Sequence, residues 1–340
     1  MNRTASIKDV ANHASVAVGT VSNVLNYPDR VSQRTKERVL QAIDELGFVR
    51  NDAARQLRAG HSRTIGLIVL DVGNPFFTSV VRAAEDAAAL QGSAVLLGDS
   101  GHDAGREANY IDLFQEQRVQ GLLISPVGDV TERLDLLRER GVPTVLVDRL
   151  ADEDKFSSVA VDDDAGGYLA ARHLLDTGRR RLAFVGGSTS IRQVADRLQG
   201  ALRAVKEEPG ATLEVLASEG MTVLAGRSVG NTLVERDRGD LPDGIFCAND
   251  LLALGIMQSL TMTHTFRIPE DIALIGYDDI DFAVSAVVPL SSIRQPTEAL
   301  GRTAIELLAE EVEAQHPRHR SVVFTPELVV RQSTGATPAG

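Results

Sequence analysis

Ser6-Ile7-Lys8-Asp9-Val10-Ala11 and, one turn later, Val21-Ser22-Asn23-Val24-Leu25-Asn26 read as two short amphipathic helices with almost nothing between them. Ser6, with Asp9 three residues on, is close to a capping box. Ile7, Val10, Ala11 and Ala14 fall at i, i+3, i+4 and i+7, one helical face. Ser15-Val16-Ala17 makes the turn. The second helix then carries Val21, Val24 and Leu25 inward and leaves Val18, Gly19, Ser22 and Asn23 outward. Two helices this short cannot enclose a core, so a third must close it. Ser32 to Leu46 supplies one, with Val39, Leu40, Ile43 and Leu46 as its stripe and Gly47 as its stop. Any small three-helix domain has this pattern, and so does a helix-turn-helix head, which places its second helix in the DNA major groove. The next element favours the second reading. Asn51 can cap a helix from Asp52 to Arg58 that ends at Gly60 and is too short to be stable alone.

Composition bounds the rest. At 340 residues and 43% hydrophobic, the chain accommodates a small head and a large two-lobed domain. The single cysteine, Cys247, excludes a disulfide framework and fits a reducing compartment; its apolar neighbours Ile245, Phe246 and Ala248 predict burial. No N-terminal apolar signal and no apolar run near twenty residues is present, so a cytoplasmic protein without a membrane span is expected. The net charge of −12 divides unevenly. Residues 1–63 hold ten Lys/Arg against six acids, a surplus of four, so the remainder carries −16. A positive head on an acidic body suits approach to DNA in one orientation.

From Thr64 onward, apolar runs alternate with helical patterns. Strands are predicted at Ile65–Leu70, Ala94–Leu97, Gly121–Ser125, Thr144–Val147, Ser158–Val161, Leu182–Val185, Leu213–Leu216, Gly244–Cys247 and Ala273–Gly276. The fold class is thus an all-α head followed by an α/β region of doubly wound parallel sheets, too many strands for one sheet and hence two lobes. Only the tail Ser333–Gly340 reads as frayed.

Ligands of such sheets sit beyond the carboxyl ends of the strands. Asn74-Pro75-Phe76-Phe77 follows the first strand and Asp148 the fourth; Arg197, Asn249 and Asp278 follow strands of the second lobe. Asp148, Asn249, Asp278 and Arg197 together offer carboxylates, an amide and a guanidinium to a polyhydroxyl ligand, and Phe76 or Phe77 an apolar face. Phe76 suits lobe core equally. Asp250 reads better as an N-cap for a helix starting at Leu251, and Asp162, Asp163 and Asp164 as caps of the next helix. No catalytic set emerges. The seven histidines show no metal-ligand spacing, and His316 and His319 read as exposed in a polar loop. Neither a Gly-x-Ser-x-Gly elbow nor a phosphate loop is present, so no enzyme, metal or cofactor is expected.

Ser6 to Ala11, Thr20 to Asn26, Val31-Ser32 and Ala54-Arg55-Gln56-Leu57 resemble the head and hinge of the LacI/GalR family of bacterial transcriptional regulators. The resemblance continues through Ile65 to Ile68, Asn74 to Phe77, Val161-Asp162, Phe184 to Gly187, Ala248-Asn249-Asp250 and Gly276 to Asp279, practically the whole chain. It implies a helix-turn-helix head over 1–50, a hinge helix and linker over 51–63, and an effector-binding and dimerisation domain over 64–340. That domain would be periplasmic-binding-protein-like. Its lobes would be about 64–160 with 293–325, and 162–289 with 326–340. Three crossing segments would join them near Ala160–Asp163, Pro289–Ile293 and Thr325–Leu328. Arg197, Asn249 and Asp278 align with effector contacts, Asp148 and Phe77 less closely.

The mechanism implied is a homodimer on a near-palindromic operator, with Val18, Gly19 and Asn23 at base edges and Thr20, Ser22 and Asn26 on phosphates. Asn51, Ala54, Arg55, Leu57 and Arg58 would line the minor groove, Leu57 as a wedge between base pairs. The effector expected is a sugar or sugar derivative. A purine, a nucleoside or a phosphorylated metabolite is the alternative, Arg192 and Arg197 leaving room for an anion. A small-molecule-binding protein without DNA function is a further reading. Asn23 stands where the family often has arginine, Ser15 replaces a turn glycine, Arg50 a proline and Met221 a sugar-stacking aromatic. No leucine heptad follows Ser333, which favours a dimer over a tetramer.

Overall fold

The computed structural model describes residues 5–48, 62–151, 155–262, 266–314 and 318–335. Asn51, Ala54, Arg55, Leu57 and Arg58, the predicted minor-groove residues, lie outside them. Internal contacts divide the chain into a head that ends at Ser62 and a body that begins at Arg63.

Among its described residues the head has three α-helices, α1 (Ile7–His13), α2 (Val18–Asn26) and α3 (Gln33–Leu46). The capping box at Ser6 is complete: its hydroxyl accepts from the Asp9 amide at 3.3 Å and its own amide donates to the Asp9 carboxylate at 2.8 Å. Ser15 turns the chain at φ +50°, a left-handed conformation that glycine adopts more readily. Val10, Ala11, Ala14, Val21, Val24, Val39 and Ala42 form the core. One predicted inward residue is misplaced. Leu40 is 46% exposed and Ala42 is buried in its stead. Val39, Ala42, Ile43 and Leu46 keep the i, i+3, i+4, i+7 spacing, and Leu40 lies about 100° round from Val39.

Among its described residues the body has twelve strands: β1 (Thr64–Val69), β2 (Ala94–Asp99), β3 (Gly121–Ile124), β4 (Thr144–Val147), β5 (Ser157–Val161), β6 (Arg181–Gly186), β7 (Thr212–Ala217), β8 (Gly244–Cys247), β9 (Ala273–Asp278), β10 (Ser291–Arg294), β11 (Ser321–Phe324) and β12 (Glu327–Val329). They form two six-stranded sheets, ordered β11-β5-β4-β3-β1-β2 and β12-β10-β9-β8-β6-β7. Every pairing is parallel except β10 with β12. Helices cover both faces, which is why β3, β4, β5, β8 and β9 are buried along their whole length. Cys247 lies in the second core, fully buried.

All nine predicted strands are present, and three more appear. Ser291–Arg294 and Ser321 onward are short, and only pairing on neighbouring strands makes them β. This moves one lobe boundary. Ile293 pairs with Tyr277 on one side and Leu328 on the other, so it belongs to the second sheet. The chain therefore crosses between lobes after Arg294, and not at Pro289–Ile293. The tail also departs from expectation. Ser333 is fully buried, accepting from the Ser291 amide at 2.8 Å, and Thr334 bonds the Ser291 hydroxyl at 2.7 Å. His319 is likewise not free: its Nδ1 lies 2.7 Å from Glu311, which also accepts from Ser157 at 2.6 Å.

Candidate functional site

The carboxyl ends of the strands of both sheets face one cleft. Asn74 and Asp148 stand just beyond β1 and β4, Asn249 just beyond β8, and Asp278 closes β9. With Phe76, Phe77, Arg197, Leu70, Ile191, Gln193, Val194 and Met221 they line a single cavity of about 30 Å³. The six predicted effector residues are thus brought together. Ligand pockets generally measure about 300–1,000 Å³. A ligand of that size therefore enters only when the lobes or their side chains part.

Each side chain has a local cause. Asn74 caps the helix Pro75–Leu90 by accepting from the Phe76 amide at 3.0 Å, with Pro75 at its first turn. That helix turns Phe76 and Phe77 into the lobe, ring centroids 4.9 Å apart and edge to face. Asn249 does the capping that sequence assigned to Asp250. Its Oδ1 accepts from the Leu252 amide at 2.9 Å and its Nδ2 donates to the Met221 carbonyl at 2.9 Å. Asp250 is buried instead, accepting from the Ile280 amide at 2.9 Å and the Ser292 hydroxyl at 2.7 Å. Asp148 and Asp278 have φ of +56° and +106°, so each strand end is bent in the left-handed region where it meets the cleft.

Arg197 is the electrostatic centre. Its Nε donates to Asp163 at 2.7 Å and its Nη1 to the Ala248 carbonyl at 2.7 Å, and the guanidinium lies 3.7 Å from the centre of the Tyr277 ring. Asp278 Oδ1 is 4.0 Å away. Burial alone would lower Arg197, but Asp163, Tyr277, Asp278 and Asp148 together hold it above its ordinary value and keep it charged. Asp162 caps the following helix, as expected. Asp163 does not: it is the buried partner of Arg197. Arg192 is exposed and paired with Asp196 at 2.8 Å.

Three residues that sequence did not select complete the site. Asn74 Nδ2 donates to Asp278 at 3.0 Å, and Gln193 Nε2 donates to the Asp148 carbonyl at 2.6 Å and carboxylate at 2.9 Å. Both bonds join the two lobes. Asn74 has a signal in its place after the first strand and Asp163 reads from sequence as a helix cap, whereas Gln193 carries no signal. Among the described residues no group of side chains could hold a metal ion, and no helix is long and apolar enough to cross a membrane.

In the head, α2 presents Val18, Gly19, Asn23 and Asn26 to solvent, with Thr20 and Ser22 half-buried beside them. Nothing lies within 4 Å of a methyl built on Gly19, so the face is open there. The Asn26 amide donates to the Ser22 carbonyl at 2.8 Å, fixing the end of the helix.

A helix-turn-helix head and a two-lobed body closing on a polar cleft define the architecture of a DNA-binding transcriptional regulator. Two sequence families match: bacterial regulatory proteins of the lacI family over residues 6–51, and the periplasmic binding protein-like domain over residues 171–334. The HTH-type transcriptional repressor PurR of Aliivibrio salmonicida is 33% identical over 97% of this chain and 98% of its own. The Lac repressor dimer bound to operator and an anti-inducer superposes with a TM-score of 0.82 at 26% identity, over 98% of this chain and 100% of that one. The transcriptional regulator CelR in complex with cellobiose gives 0.71 at 30%, over 97% and 99%. The chain belongs to the lacI family of bacterial regulatory proteins.

Proposed function

We propose that this regulator is a cytoplasmic homodimeric repressor whose hold on a near-palindromic operator is set by a small neutral effector in the cleft. The observation that carries the effector reading is the charge balance of the lining. Asp148, Asp163 and Asp278 surround one guanidinium, two of whose N–H groups are held by Asp163 and the Ala248 carbonyl. Three acidic side chains around a single cation disfavour an anionic phosphate there. A neutral ligand whose hydroxyls both donate and accept suits it better. A carbohydrate fits this description, and CelR, which resembles this chain, is complexed with cellobiose. A purine is the second reading, favoured by the relatives named PurR. Val18, Gly19 and Asn23 would meet base edges, and Thr20, Ser22 and Asn26 phosphates. By sequence, Leu57 would kink the operator, with Asn51, Ala54, Arg55 and Arg58 beside it. A ligand with different affinity for the two lobe arrangements would switch the pair of heads between operator-competent and incompetent spacing.

The partner surface for a second copy is an apolar hollow of about 410 Å³ lined by Leu251, Leu254, Met257, Phe282 and Val287, the last 85% exposed. Val287→Asp should weaken dimerisation at least thirtyfold, about 2 kcal/mol, seen by sedimentation as a shift to monomer. An unchanged dimer would place the interface elsewhere.

The test of function is a thermal-shift screen of neutral sugars, sugar phosphates, purine bases and nucleosides, followed by DNA binding with and without each hit. A ligand at a hundred times its Kd should stabilise by about 2.7 kcal/mol. A chain beginning at Arg63 should keep the shift and lose specific DNA binding. A best hit among sugar phosphates would overturn the neutral-ligand reading, and equal DNA binding by both chains would overturn the role of the head.

A further inference from the structure

Four buried charged groups meet where the lobes touch: Asp148 from the first lobe and Asp163, Arg197 and Asp278 from the second. Their hydrogen bonds are unequal. Arg197 serves Asp163 and the Ala248 carbonyl. The two oxygens of Asp278 accept from Gln295 at 2.8 Å and Asn74 at 3.0 Å. Asp148 receives only Gln193, on Oδ2, while its Oδ1 is buried without a hydrogen-bond partner. Further ionisable groups acting on this cluster are the buried Tyr277 phenol, under the guanidinium, Asp250, behind Asp278, and Asp196, whose charge bears on Asp163. A buried carboxylate oxygen without a donor, beside two further carboxylates and one shared cation, is strongly disfavoured. A neutral carboxyl is not, and the unpartnered oxygen is where its hydrogen would sit.

We propose that Asp148 is the protonated member of this cluster, so that the closed cleft holds one proton and presents a carboxyl O–H donor to an acceptor atom of the effector. The donor role rests on the cleft being the effector site; the proton does not. A ring oxygen, a carbonyl or a ring nitrogen is the kind of ligand atom this group would recognise. Burial, reinforced by the charge of Asp163, pushes Asp148 up to about 8, with Arg197 and Gln193 acting the other way. Asp278, also raised by burial, reaches only about 6 because Arg197, Asn74 and Gln295 offset more of it. Both values exceed that of an unfolded aspartate, about 3.9. The folded body therefore binds protons that the unfolded chain releases. Their contribution to stability is complete below about pH 4 and is lost as pH rises through the folded values. Burial raises Asp163 and Asp250 as well, so the part that belongs to Asp148 is read as the difference from a variant lacking its carboxyl.

The test is isotope-edited infrared spectroscopy of the full chain without ligand, beside Asp148→Asn, which keeps an acceptor for Gln193 and a donor at the bare position. The wild type should show a protonated-carboxyl band at pH 7 that fades as pH is raised to 9. The band should be missing from Asp148→Asn and retained in Asp278→Asn. In urea, the unfolding constant of the wild type relative to Asp148→Asn should rise by up to tenfold per pH unit between pH 6 and 8. Gln193→Met, which leaves Asp148 in place without its donor, should move the fading to higher pH. Identical carboxyl bands in wild type and Asp148→Asn, or a pH-independent ratio, would overturn the proposal. A proton on Asp148 in a chain that binds no cleft ligand would leave it standing and remove the effector reading instead.

Discussion

Arg197→Met is expected to destabilise the body by about 3–5 kcal/mol, because it removes the cation from a buried pair and leaves the other charge behind. Asp163 loses the Nε donor at 2.7 Å, the Ala248 carbonyl loses its Nη1 donor, and the Tyr277 ring loses its stacked guanidinium. Methionine has nearly the right length, so packing contributes little. The sign with pH separates charge from packing. Without Arg197, Asp163 must take up a proton to remain buried, so the folded state binds a proton that the unfolded chain has released. The loss should therefore be smaller at pH 5 than at pH 8. Urea unfolding at both values measures it. Arg197→Met combined with Asp163→Asn should recover a large part of the stability, since neither side then carries an unpaired charge. A loss below about 1 kcal/mol, equal at both pH values, would mean that the pair is solvated and not the centre of the site.

Gly200→Ala should produce a loss of comparable size, about 3 kcal/mol, the upper end for overpacking. The helices Asp163–Asp176 and Arg192–Lys206 approach so closely at Gly167 and Gly200 that any side chain there meets backbone. A methyl on Gly200 would lie 1.9 Å from the Asp164 carbonyl oxygen and 2.6 Å from the Tyr168 nitrogen, neither of which can rotate away. The two helices also carry Asp163 and Arg197. Forcing them apart lengthens that ion pair, so the substitution should weaken cleft ligands as well as the fold. Gly128→Ala, where a methyl meets nothing within 4 Å, is the control and should stay within about 0.5 kcal/mol. Calorimetry of the three proteins side by side gives the answer, and equal transitions for Gly200→Ala and Gly128→Ala would refute close helix contact.

Sequence by itself determined the elements and their order, because local periodicity reports which face of a helix or strand is apolar. The capping box at Ser6, the inward Val10, Ala11, Val21 and Val24, the outward Val18, Gly19 and Asn23, and nine strands were all legible that way. Asp148, Asn249 and Asp278 were legible too, since polar residues ending apolar strands sit at the ligand-facing edge of such sheets. Periodicity erred where two residues compete for one face, as with Leu40 and Ala42 in α3. It was silent on strands such as Ser291–Arg294 that owe their conformation to neighbours. The tertiary structure alone decided which charges meet. Asn74 reaches Asp278 across 204 residues of chain, and Gln193 reaches Asp148 across 45. The pairing of Asp163 with Arg197 is of the same kind. The partner of a buried charge depends on how two lobes close, and no local pattern of residues encodes that distance.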